Sequence, residues 1–308
     1  MDVYQFKESL KIGMHILFTI LLIVALLSIA TWLGILRCSV IPGWCSLYYA
    51  MLGQPKVLIV YGNDGLGNPE KLAEVLANRK ILGIRPRLLH LSQISTENLK
   101  EYQLVIVEHA KTISTKKLLD FMQYVDSGGR LIWIADSGTS LAKGDEYVYE
   151  DELYQGKEHK IISPWVRKYA EGGQLKVVNF ENYLSVRYVA NFCDVYKEFC
   201  KNGTTGLVGR LFPPSRDHRL VYGMQTNLPY KGNFSIVKEV SGVGTKLVLT
   251  LNTDFGIKVN EEDLGISLPF IVVSGIGERI AYYAFPPEQL AELKYSTLIE
   301  NMYYGMLE

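Results

Sequence analysis

The stretch KVLIVYGND at residues 56–64 sets the character of the folded part of the chain. Five apolar residues run without a break between Lys56 and the turn residues that begin at Gly62. A short continuous apolar run bounded by turn residues is typical of a parallel strand that is buried on both faces. We therefore predict a buried parallel strand at this point.

Strand and helix patterns alternate after this first strand. Apolar runs predict further strands at 85–91, 104–110 and 130–138. Apolar spacing predicts a helix from Pro69 to Leu82, and another that Ser114 caps and that stops at Ser127-Gly128-Gly129. This alternation predicts an α/β fold, with a parallel sheet flanked by helices in the flavodoxin-like manner.

The later part of the chain is less regular. Residues 139–175 are polar, acidic and rich in tyrosine, which predicts an exposed insertion, and SPWVRKYAEGG at 163–173 has a Ser-Pro helix start and a Gly-Gly stop. Strands are predicted at 245–253 and from residue 278, and a helix at 298–307 closes the chain.

Residues 12–36 form a second distinct region, because these 25 residues carry no formal charge. About twenty apolar residues cross the hydrocarbon core of a bilayer, so we predict one transmembrane helix here. It follows a short tail (1–11) and precedes a juxtamembrane linker (37–55) and an α/β domain (56–308). A cleaved signal peptide would have a shorter apolar region, and Arg37 fits poorly before a lipoprotein cysteine at Cys38.

Orientation and compartment depend on weaker features. The flanking charges give only a slight positive-inside bias. Four cysteines and two N-x-S/T sequons, at Asn202 and Asn233, favour a body outside the cytoplasm. We predict a single-pass protein of the cell membrane with a cytoplasmic N-terminus, an extracytoplasmic C-terminal domain and glycosylation candidates at Asn202 and Asn233.

The cysteines form two pairs in the sequence. Cys38 and Cys45 bracket Pro42-Gly43, so a small disulfide loop is feasible. Cys193 and Cys200 would lie about 10 Å apart if their segment were a continuous helix, which is beyond the reach of a disulfide. They would then pair elsewhere, or the segment is a loop. Free thiols stay an alternative, and a metal site is not predicted because no C-x-x-C spacing supports zinc.

Composition excludes some partners. The formal net charge is zero and no basic stripe or tail is present, so nucleic acid is not a predicted partner. The glycine-containing loop at 62–68 lacks the Walker lysine and the Rossmann spacing, so no nucleotide cofactor is predicted, nor any other.

A candidate ligand site lies at the carboxyl ends of the predicted strands, where open parallel sheets bind their ligands. The predicted ligand-binding residues are Asn63, Asp64, Glu108 and His109. Such groups bind sugars or cations through oxygen ligands, although Asp and Asn are also ordinary turn residues. Asp136 and Ser137 follow the fourth strand and are weak catalytic candidates.

The order of elements resembles the class I glutamine amidotransferase-like superfamily in its divergent members. These include ThuA-like proteins and a domain in one subunit of the eukaryotic oligosaccharyltransferase. The resemblance is carried by 56–64, 104–110, FMQYVDSGGRLIWIADSG at 121–138, and the closing GIGERIAYYAFPPEQL and LIENMYYGML segments. It spans most of 56–308 and implies an amidotransferase-like α/β domain.

Family enzymes carry a cysteine in a sharp G-x-C-x-G turn after a strand. The corresponding turn here, 135–139, reads ADSGT without a cysteine, and the His-x-Glu pair of those enzymes is not evident. Serine at 137 would need an oriented base to act as a nucleophile. The resemblance therefore favours a protein without catalysis.

We predict a non-catalytic, membrane-anchored accessory protein, acting as a subunit of a larger membrane complex. Its predicted partners are the lipid bilayer, other subunits of that complex and a glycan. Polar residues of the span (His15, Thr19, Ser28 and Thr31) would mediate contacts between helices. The alternative is an extracytoplasmic hydrolase or sugar-acting enzyme that uses Asp64, Asp136 or Ser137.

Overall fold

The computed structural model of the chain describes residues 3–33, 35–36, 41, 43–78, 81–154, 156–200 and 206–307. These residues divide into an N-terminal unit that reaches Gln54 and a large unit, the body, from Pro55 to Leu307. Cys38, Asn202 and the side chain of Cys45 lie outside the described residues. The Cys38–Cys45 disulfide and glycosylation at Asn202 therefore stay predictions.

The helices and strands alternate along the chain, with the helices concentrated in its first half and at its end. The helices are α1 (Val3–Trp32), α2 (Trp44–Leu52), α3 (Pro69–Ala77), α4 (Thr96–Leu99), α5 (Thr115–Asp126), α6 (Glu150–Leu153), α7 (Phe180–Leu184), α8 (Phe192–Val195) and α9 (Ser296–Leu307). The strands are β1 (Val57–Asp64), β2 (Arg87–His90), β3 (Leu104–Ala110), β4 (Thr112–Ile113), β5 (Arg130–Ile134), β6 (Ser140–Leu141), β7 (Glu146–Tyr147), β8 (Val166–Glu171), β9 (Gln174–Asn179), β10 (Val186–Asn191), β11 (Gly209–Phe212), β12 (Leu228–Tyr230), β13 (Ser235–Glu239), β14 (Lys246–Val259), β15 (Glu262–Ser274) and β16 (Ile280–Tyr283).

In the N-terminal unit, the segment Lys11–Trp32 of α1 is long and apolar enough to cross a membrane. Its apolar side chains are exposed on every side over most of this length. A signal sequence near the N-terminus also meets this criterion of length and composition, so the crossing itself and its direction belong to the proposals below. The helix ends at Trp32, short of the predicted limit at residue 36.

The body is built on a mixed sheet that has nine strands over the described residues, in the order β12-β11-β14-β15-β16-β5-β3-β1-β2. The half from β16 to β2 is parallel. The other half is antiparallel. The predicted α/β class with flanking helices is confirmed, but the sheet is parallel only in part. The reason is a two-residue turn between β14 and β15, which joins neighbouring strands and forces antiparallel pairing.

Local signals explain the first helices of the body. Pro69 occupies the first turn of α3, and the Asn68 side chain accepts a hydrogen bond from the backbone N–H of Lys71 at 2.9 Å. Ser114 caps α5 in the same way through the N–H of Lys117. The predicted helix after Ser114 and the predicted strand at 104–110 therefore match α5 and β3.

The segment 163–173 is not the predicted helix but part of a hairpin of β8 and β9, which pairs with β7 in a separate sheet. Trp165 and Arg167 are both fully buried and lie two residues apart, which is the period of a strand. Gly172 and Gly173 have φ angles of 61° and 78°, as a tight hairpin turn requires. The Gly-Gly pair is thus a turn between strands.

The insertion is also less exposed than predicted, because Arg167 ties it to the body. Its guanidinium donates to the carbonyl oxygens of Ile113 and Gly138, and to that of Ser140 at 3.0 Å. Burial lowers the pKa of Arg167 to about 10, so the group stays charged at neutral pH. It also donates to the carbonyl oxygen of Pro164 at 2.8 Å, so four carbonyl dipoles replace the water around this cation.

Cys193 and Cys200 form a disulfide, with their Cα atoms 5.7 Å apart. The continuous helix that would have separated them does not exist, because α8 ends at Val195 and a short 3-10 turn follows at Lys197–Phe199. Tyr196 between the two has a φ of −109° and a ψ of 61°, which is outside the helical region. The segment is therefore the loop that the alternative prediction required.

Candidate functional site

A cleft of about 490 Å³ opens where β1 and β2 end. We call it the strand-end cleft. Its polar lining comes from the ends of β1 and β2, from β4 and from the start of α5, and comprises Asn63, Asp64, His90, Ser92, Thr112, Ser114 and Lys117. The two strands run parallel and in register, with Tyr61 beside His90, so their carboxyl ends meet at one edge. The cleft therefore lies where the sequence predicted a ligand site.

His90 organises one side of the strand-end cleft. The backbone N–H of Ser92 donates to Nδ1 of His90, and the Ser92 hydroxyl lies 2.8 Å from the same nitrogen. Because Nδ1 accepts, the ring hydrogen belongs on Nε2, which lies 3.1 Å from Oδ1 of Asn63. This bond fixes the amide of Asn63, so that its NH₂ group is left for a ligand.

Asp64 and Lys117 form the other side, and each already has a partner. Asp64 accepts hydrogen bonds from the backbone N–H of Thr112 at 3.0 Å and from the Thr112 hydroxyl at 2.6 Å. The Lys117 ammonium donates to the carbonyl oxygen of Ile94 and lies 3.5 Å from Asp120. The cleft is thus a set of fixed donors and acceptors, which suits recognition of hydroxyl groups.

Glu108 was predicted to join this site, but it does not line the strand-end cleft. It is fully buried near Glu288, and a Cβ at Gly67 would come within 2.6 Å of Oε1 of Glu108. Burial raises the pKa of Glu108 well above the ordinary range, and the carboxylate of Glu288 raises it further. Burial also raises the pKa of Glu288. We call these two residues the buried acid pair.

His109 is the other predicted ligand residue that the strand-end cleft does not contain. Its φ of 50° places it in the left-handed region, at the point where β3 turns away. Its backbone N–H donates to the carbonyl oxygen of Leu66 at 3.1 Å, and the ring is half-buried. Of the four predicted ligand residues, the structure brings Asn63 and Asp64 together and leaves Glu108 and His109 apart from them.

Asp136 is a structural acceptor. It is 2% exposed, and its carboxylate accepts from the backbone N–H of Leu66 at 2.8 Å and from the amide of Asn191 at 2.9 Å. Lys111 lies 3.9 Å away. The carboxylate therefore holds the loop after β1 against β10, with both of its oxygens engaged.

Ser137 is equally enclosed. It is 1% exposed, its hydroxyl lies 3.5 Å from the carbonyl oxygen of Val107, and its own carbonyl accepts from the indoles of Trp133 and Trp165. No base contacts its hydroxyl among the described hydrogen bonds. This geometry supports a structural role in the turn after β5.

The turn after β5 has its left-handed corner at Ala135, with a φ of 51°. Non-glycine residues adopt this conformation rarely, and they concentrate at functional turns. Here the corner residue carries only a methyl group, which is fully buried. The turn after β5 is therefore sharp, and its corner side chain has no reactive atom.

Sequence reasoning missed several residues of the site. His90 lies one residue before the end of the predicted second strand (85–91), so the rule that ligands lie at strand ends would have included it. Thr112 and Lys117 gave no signal, because β4 is two residues long and Lys117 sits on an ordinary amphipathic helix. Glu288 lay inside the quoted FPPE motif, but its partner Glu108 could not be read from the sequence.

Among the described residues, no group of three or more His, Cys, Asp or Glu side chains is placed to hold a metal ion. Asn233 is half-buried, and its Oδ1 accepts from the backbone N–H groups of Cys193 and Phe234 at 3.0 Å. This arrangement does not favour a glycan at Asn233, whose glycosylation stays a prediction.

Comparison with solved structures identifies the fold. A ThuA-like protein from Bacteroides uniformis ATCC 8492 superposes with a TM-score of 0.53 at 13% identity, over 82% of this chain and 91% of that protein. ThuA-like proteins have the class I glutamine amidotransferase-like fold. At this identity the likeness shows the fold alone, and it confirms the coarse form of the resemblance seen in the sequence.

Weaker likenesses accompany this one. A ThuA-like protein from Parabacteroides merdae ATCC 43184 has a TM-score of 0.45 at 12% identity, over 82% of this chain and 90% of that one. A β-galactosidase from Rahnella sp. R3 has a TM-score of 0.47 at 14% identity, over 80% of this chain but only 31% of the enzyme. No family model and no curated protein matches the sequence.

Proposed function

We propose that this chain is a membrane-anchored accessory protein that catalyses no reaction and whose body binds a glycan outside the cytoplasm, as a subunit of a membrane complex. The observation that carries the proposal is the strand-end cleft. Bonds within the cleft fix Asn63, His90 and Ser92, and Thr112 fixes Asp64. The sharp turn after β5, in contrast, has a corner side chain, Ala135, with no reactive atom. The strand-end cleft therefore presents hydrogen-bond donors and acceptors in fixed positions.

The chemistry of the strand-end cleft suits a sugar. Asn63 presents an amide NH₂ group that His90 holds in place through the amide oxygen at 3.1 Å, and Asp64 lies in the same cleft. Preorganised groups of this kind bind hydroxyls without first losing side-chain freedom. A volume of about 490 Å³ falls within the range of ordinary small-molecule sites.

The location is supported by two features of different parts of the chain. The exposed apolar surface of α1 suits a hydrocarbon environment and not water. The Cys193–Cys200 disulfide suits an oxidising compartment, because thiols are kept reduced in the cytosol. Together they support a single span with its body on the extracytoplasmic side.

Binding is tested with the full chain in detergent against a panel of immobilised glycans. We expect a subset of glycans to bind, and Asn63→Ala and His90→Ala each to weaken that binding. The control is His159→Ala, because His159 is also a histidine with a carboxylate or amide partner and a ring contact, but lies in the insertion. Binding that all three variants leave unchanged, or no binding at all, would refute the glycan site.

Membership of a complex is tested separately by purification from native membranes. We expect the chain to elute with partner subunits at a size well above its own 34.8 kDa plus detergent. A chain that elutes alone under mild detergent would contradict the accessory role and leave the glycan site to be judged by the binding assay.

A second candidate function rests on one contact. The Ser92 hydroxyl lies 2.8 Å from Nδ1 of His90, whose other nitrogen lies 3.1 Å from Asn63, which is the order of a nucleophile, a base and an orienting group. The backbone N–H of Ser92 also donates to Nδ1, as in a helix cap, which weakens the base. Hydrolysis of chromogenic esters or glycosides that Ser92→Ala abolishes would establish this hydrolase in place of the binding protein.

A further inference from the structure

The short helix α2 has one covered side and one exposed apolar side. Trp44 and Tyr48, one turn apart, are 4% and 9% exposed. Leu47 and Met51, also one turn apart, are 46% and 48% exposed, and Leu52 after them is 60% exposed. A water-soluble helix normally turns polar side chains outward, so this outer side is unsuited to water.

A hydrogen bond from Trp44 ties the covered side of α2 to α1. The indole Nε1 of Trp44 donates to the hydroxyl of Thr31 at 2.9 Å, and that hydroxyl donates in turn to the carbonyl oxygen of Leu27 at 2.8 Å. Thr31 is the last of several partly covered positions on α1, which include Val24 and Ser28. The spacing of three and four residues places these positions on one face of the helix. Helix α2 therefore begins beside the end of the apolar segment of α1.

The sequence around α2 excludes charge. Residues 38–55 contain no Asp, Glu, Lys or Arg, although they follow Arg37 and precede Lys56. They contain Trp44, Tyr48 and Tyr49, the residue types that concentrate at the boundary between lipid and water. Nine residues of helix extend about 14 Å, which is too short to cross the hydrocarbon core. A helix too short to span, with aromatic residues on one side and exposed apolar residues on the other, is suited to the boundary between lipid and water.

We infer that α2 is an interfacial helix, whose outer side (Leu47, Met51 and Leu52) is embedded in the lipid leaflet beside the end of α1. The occupant of this apolar side is the bilayer, because the side is continuous in chemistry with the exposed apolar surface of α1 and bears no group for a polar partner. The inference rests on the proposed membrane anchor and adds a second lipid contact to it. The Trp44–Thr31 bond sets the depth of α2.

The test measures depth in vesicles of phosphatidylcholine that hold the full chain. A fluorescent amino acid replaces one residue at a time, at Leu47, Met51, Ile20 in the middle of α1 or Lys100 on the body, and nitroxide lipids quench it at shallow or deep positions. We expect labels at Leu47 and Met51 to shift to the blue and to be quenched most by the shallow nitroxide. The label at Ile20 should be quenched most by the deep one, and that at Lys100 by neither.

The outcomes separate the inference from the anchor. Quenching at Ile20 but none at Leu47 and Met51 overturns the interfacial helix and leaves the span standing. No quenching at Ile20 overturns the anchor, and the inference with it.

Two matched variants test the hydrogen bond between Trp44 and Thr31. Thr31→Val removes the acceptor of Trp44, whereas Thr19→Val removes a hydroxyl that bonds only within α1, to the carbonyl oxygen of His15 at 2.8 Å. We expect Thr31→Val to change the quenching at Leu47 and Thr19→Val to leave it unchanged. Equal responses to the two variants would overturn the role of the bond.

Discussion

At the scale of single residues, the buried acid pair is the most unusual feature of the body. Glu108 is fully buried and Glu288 is 8% exposed, and among the described residues no cation forms an ion pair with either. Burial therefore favours the neutral form of each carboxyl and raises both pKa values. A group whose pKa is raised by folding stabilises the protein below its unfolded pKa, and this contribution is lost as the pH rises through the folded pKa.

The acid pair predicts a loss of stability on the alkaline side. Glu108→Gln replaces the neutral carboxyl by an amide of the same shape that cannot ionise. We expect the variant to gain stability relative to the wild type as the pH rises from about 5 to about 9. Urea unfolding across this range measures the difference. The control Glu261→Gln, in the exposed turn between β14 and β15, should show no such trend, and a parallel pH profile for Glu108→Gln would contradict the prediction.

Glu278 predicts the opposite pH dependence. Burial raises its pKa, but the hydrogen bond from Lys246 and the charges of His218 and Arg219 outweigh burial, so the pKa lies below the usual range. Such a group stabilises the protein above its unfolded pKa, and the contribution is lost as the pH falls through the folded pKa. We expect Glu278→Gln to lower the unfolding free energy by about 1–3 kcal/mol near neutral pH, and by less in acid.

Urea unfolding also tests Glu278, with Glu262→Gln as its control. Glu262 forms an ion pair with Lys238 but is 55% exposed, so its loss should change stability by less than about 0.5 kcal/mol. A Glu278→Gln effect that is equally small, or independent of pH, would contradict the stabilisation of the Glu278 carboxylate by Lys246, His218 and Arg219.

Gly67 is required by the acid pair beside it. A Cβ at this position would lie 2.6 Å from Glu108, and the φ of 103° disfavours any L-residue. We expect Gly67→Ala to destabilise the body by about 2–4 kcal/mol, as the sum of overpacking and backbone strain. Gly144→Ala is the matched control, because Gly144 has a φ of 94° with open space around it. Equal melting temperatures for the two variants would rule out the clash.

At the scale of elements, prediction succeeded where the signals were local. The apolar run of β1 and the Ser114 cap and Gly-Gly stop of α5 each lie within their own element. The β8–β9 hairpin failed because a Ser-Pro start and a Gly-Gly stop suit a helix as well as a hairpin. What decides the case is the burial of Trp165 and Arg167 against residues far away in sequence.

The residues of the candidate site also fall into two groups: those that local signals predicted and those that depend on contacts across the fold. Asn63 and Asp64 were predictable from the rule that strand ends collect ligand residues. Their partners depend on contacts that cross the fold. Thr112 reaches Asp64 across 48 positions of sequence, and the acid pair joins a residue of β3 to one in the 3-10 turn Pro287–Leu290. Pairing of this kind is set by tertiary packing, which composition and spacing do not encode.

The disulfide stabilises a specific element, the turn from α8 to β11. Phe192 and Tyr196 stack at 5.1 Å within the turn, and Phe199 stacks on Phe255 of β14 at 4.9 Å. Closing a loop of this length contributes about 2.5 kcal/mol in the chain-entropy account. We expect the double variant Cys193→Ser and Cys200→Ser to lose about that amount in urea unfolding without reductant. A loss below about 0.5 kcal/mol would show that the aromatic stack holds the turn alone.

At the scale of the whole molecule, the chain divides into a unit suited to lipid and a unit suited to water. Removal of residues 1–54 should leave a body that stays in solution and melts cooperatively, because the sheet and its helices lie in the second unit. The full chain should stay in membranes at alkaline pH. Fractionation and thermal denaturation measure both results.

A charged variant of α1 tests whether this helix anchors the chain in the membrane. The double variant Leu21→Arg and Leu22→Arg places two charges in the middle of α1, each of which costs about 2.5–3.5 kcal/mol in a bilayer core. This variant should be released by alkaline extraction. Release of the unmodified chain under the same conditions would contradict a membrane span.

The position of β16 in the sheet determines when the nine-stranded sheet can be completed. β16 is the last strand in the chain, yet it lies between β15 and β5 and joins the parallel half to the antiparallel half. Both neighbours are synthesised earlier, so the edge of each that pairs with β16 stays unpaired until residues 280–283 have been made. Open edges are sites of aggregation, and pairing over long sequence separations is slow. Until β16 is made, the parallel half and the antiparallel half therefore have no strand to join them, and we expect a chain that stops before residue 280 to aggregate.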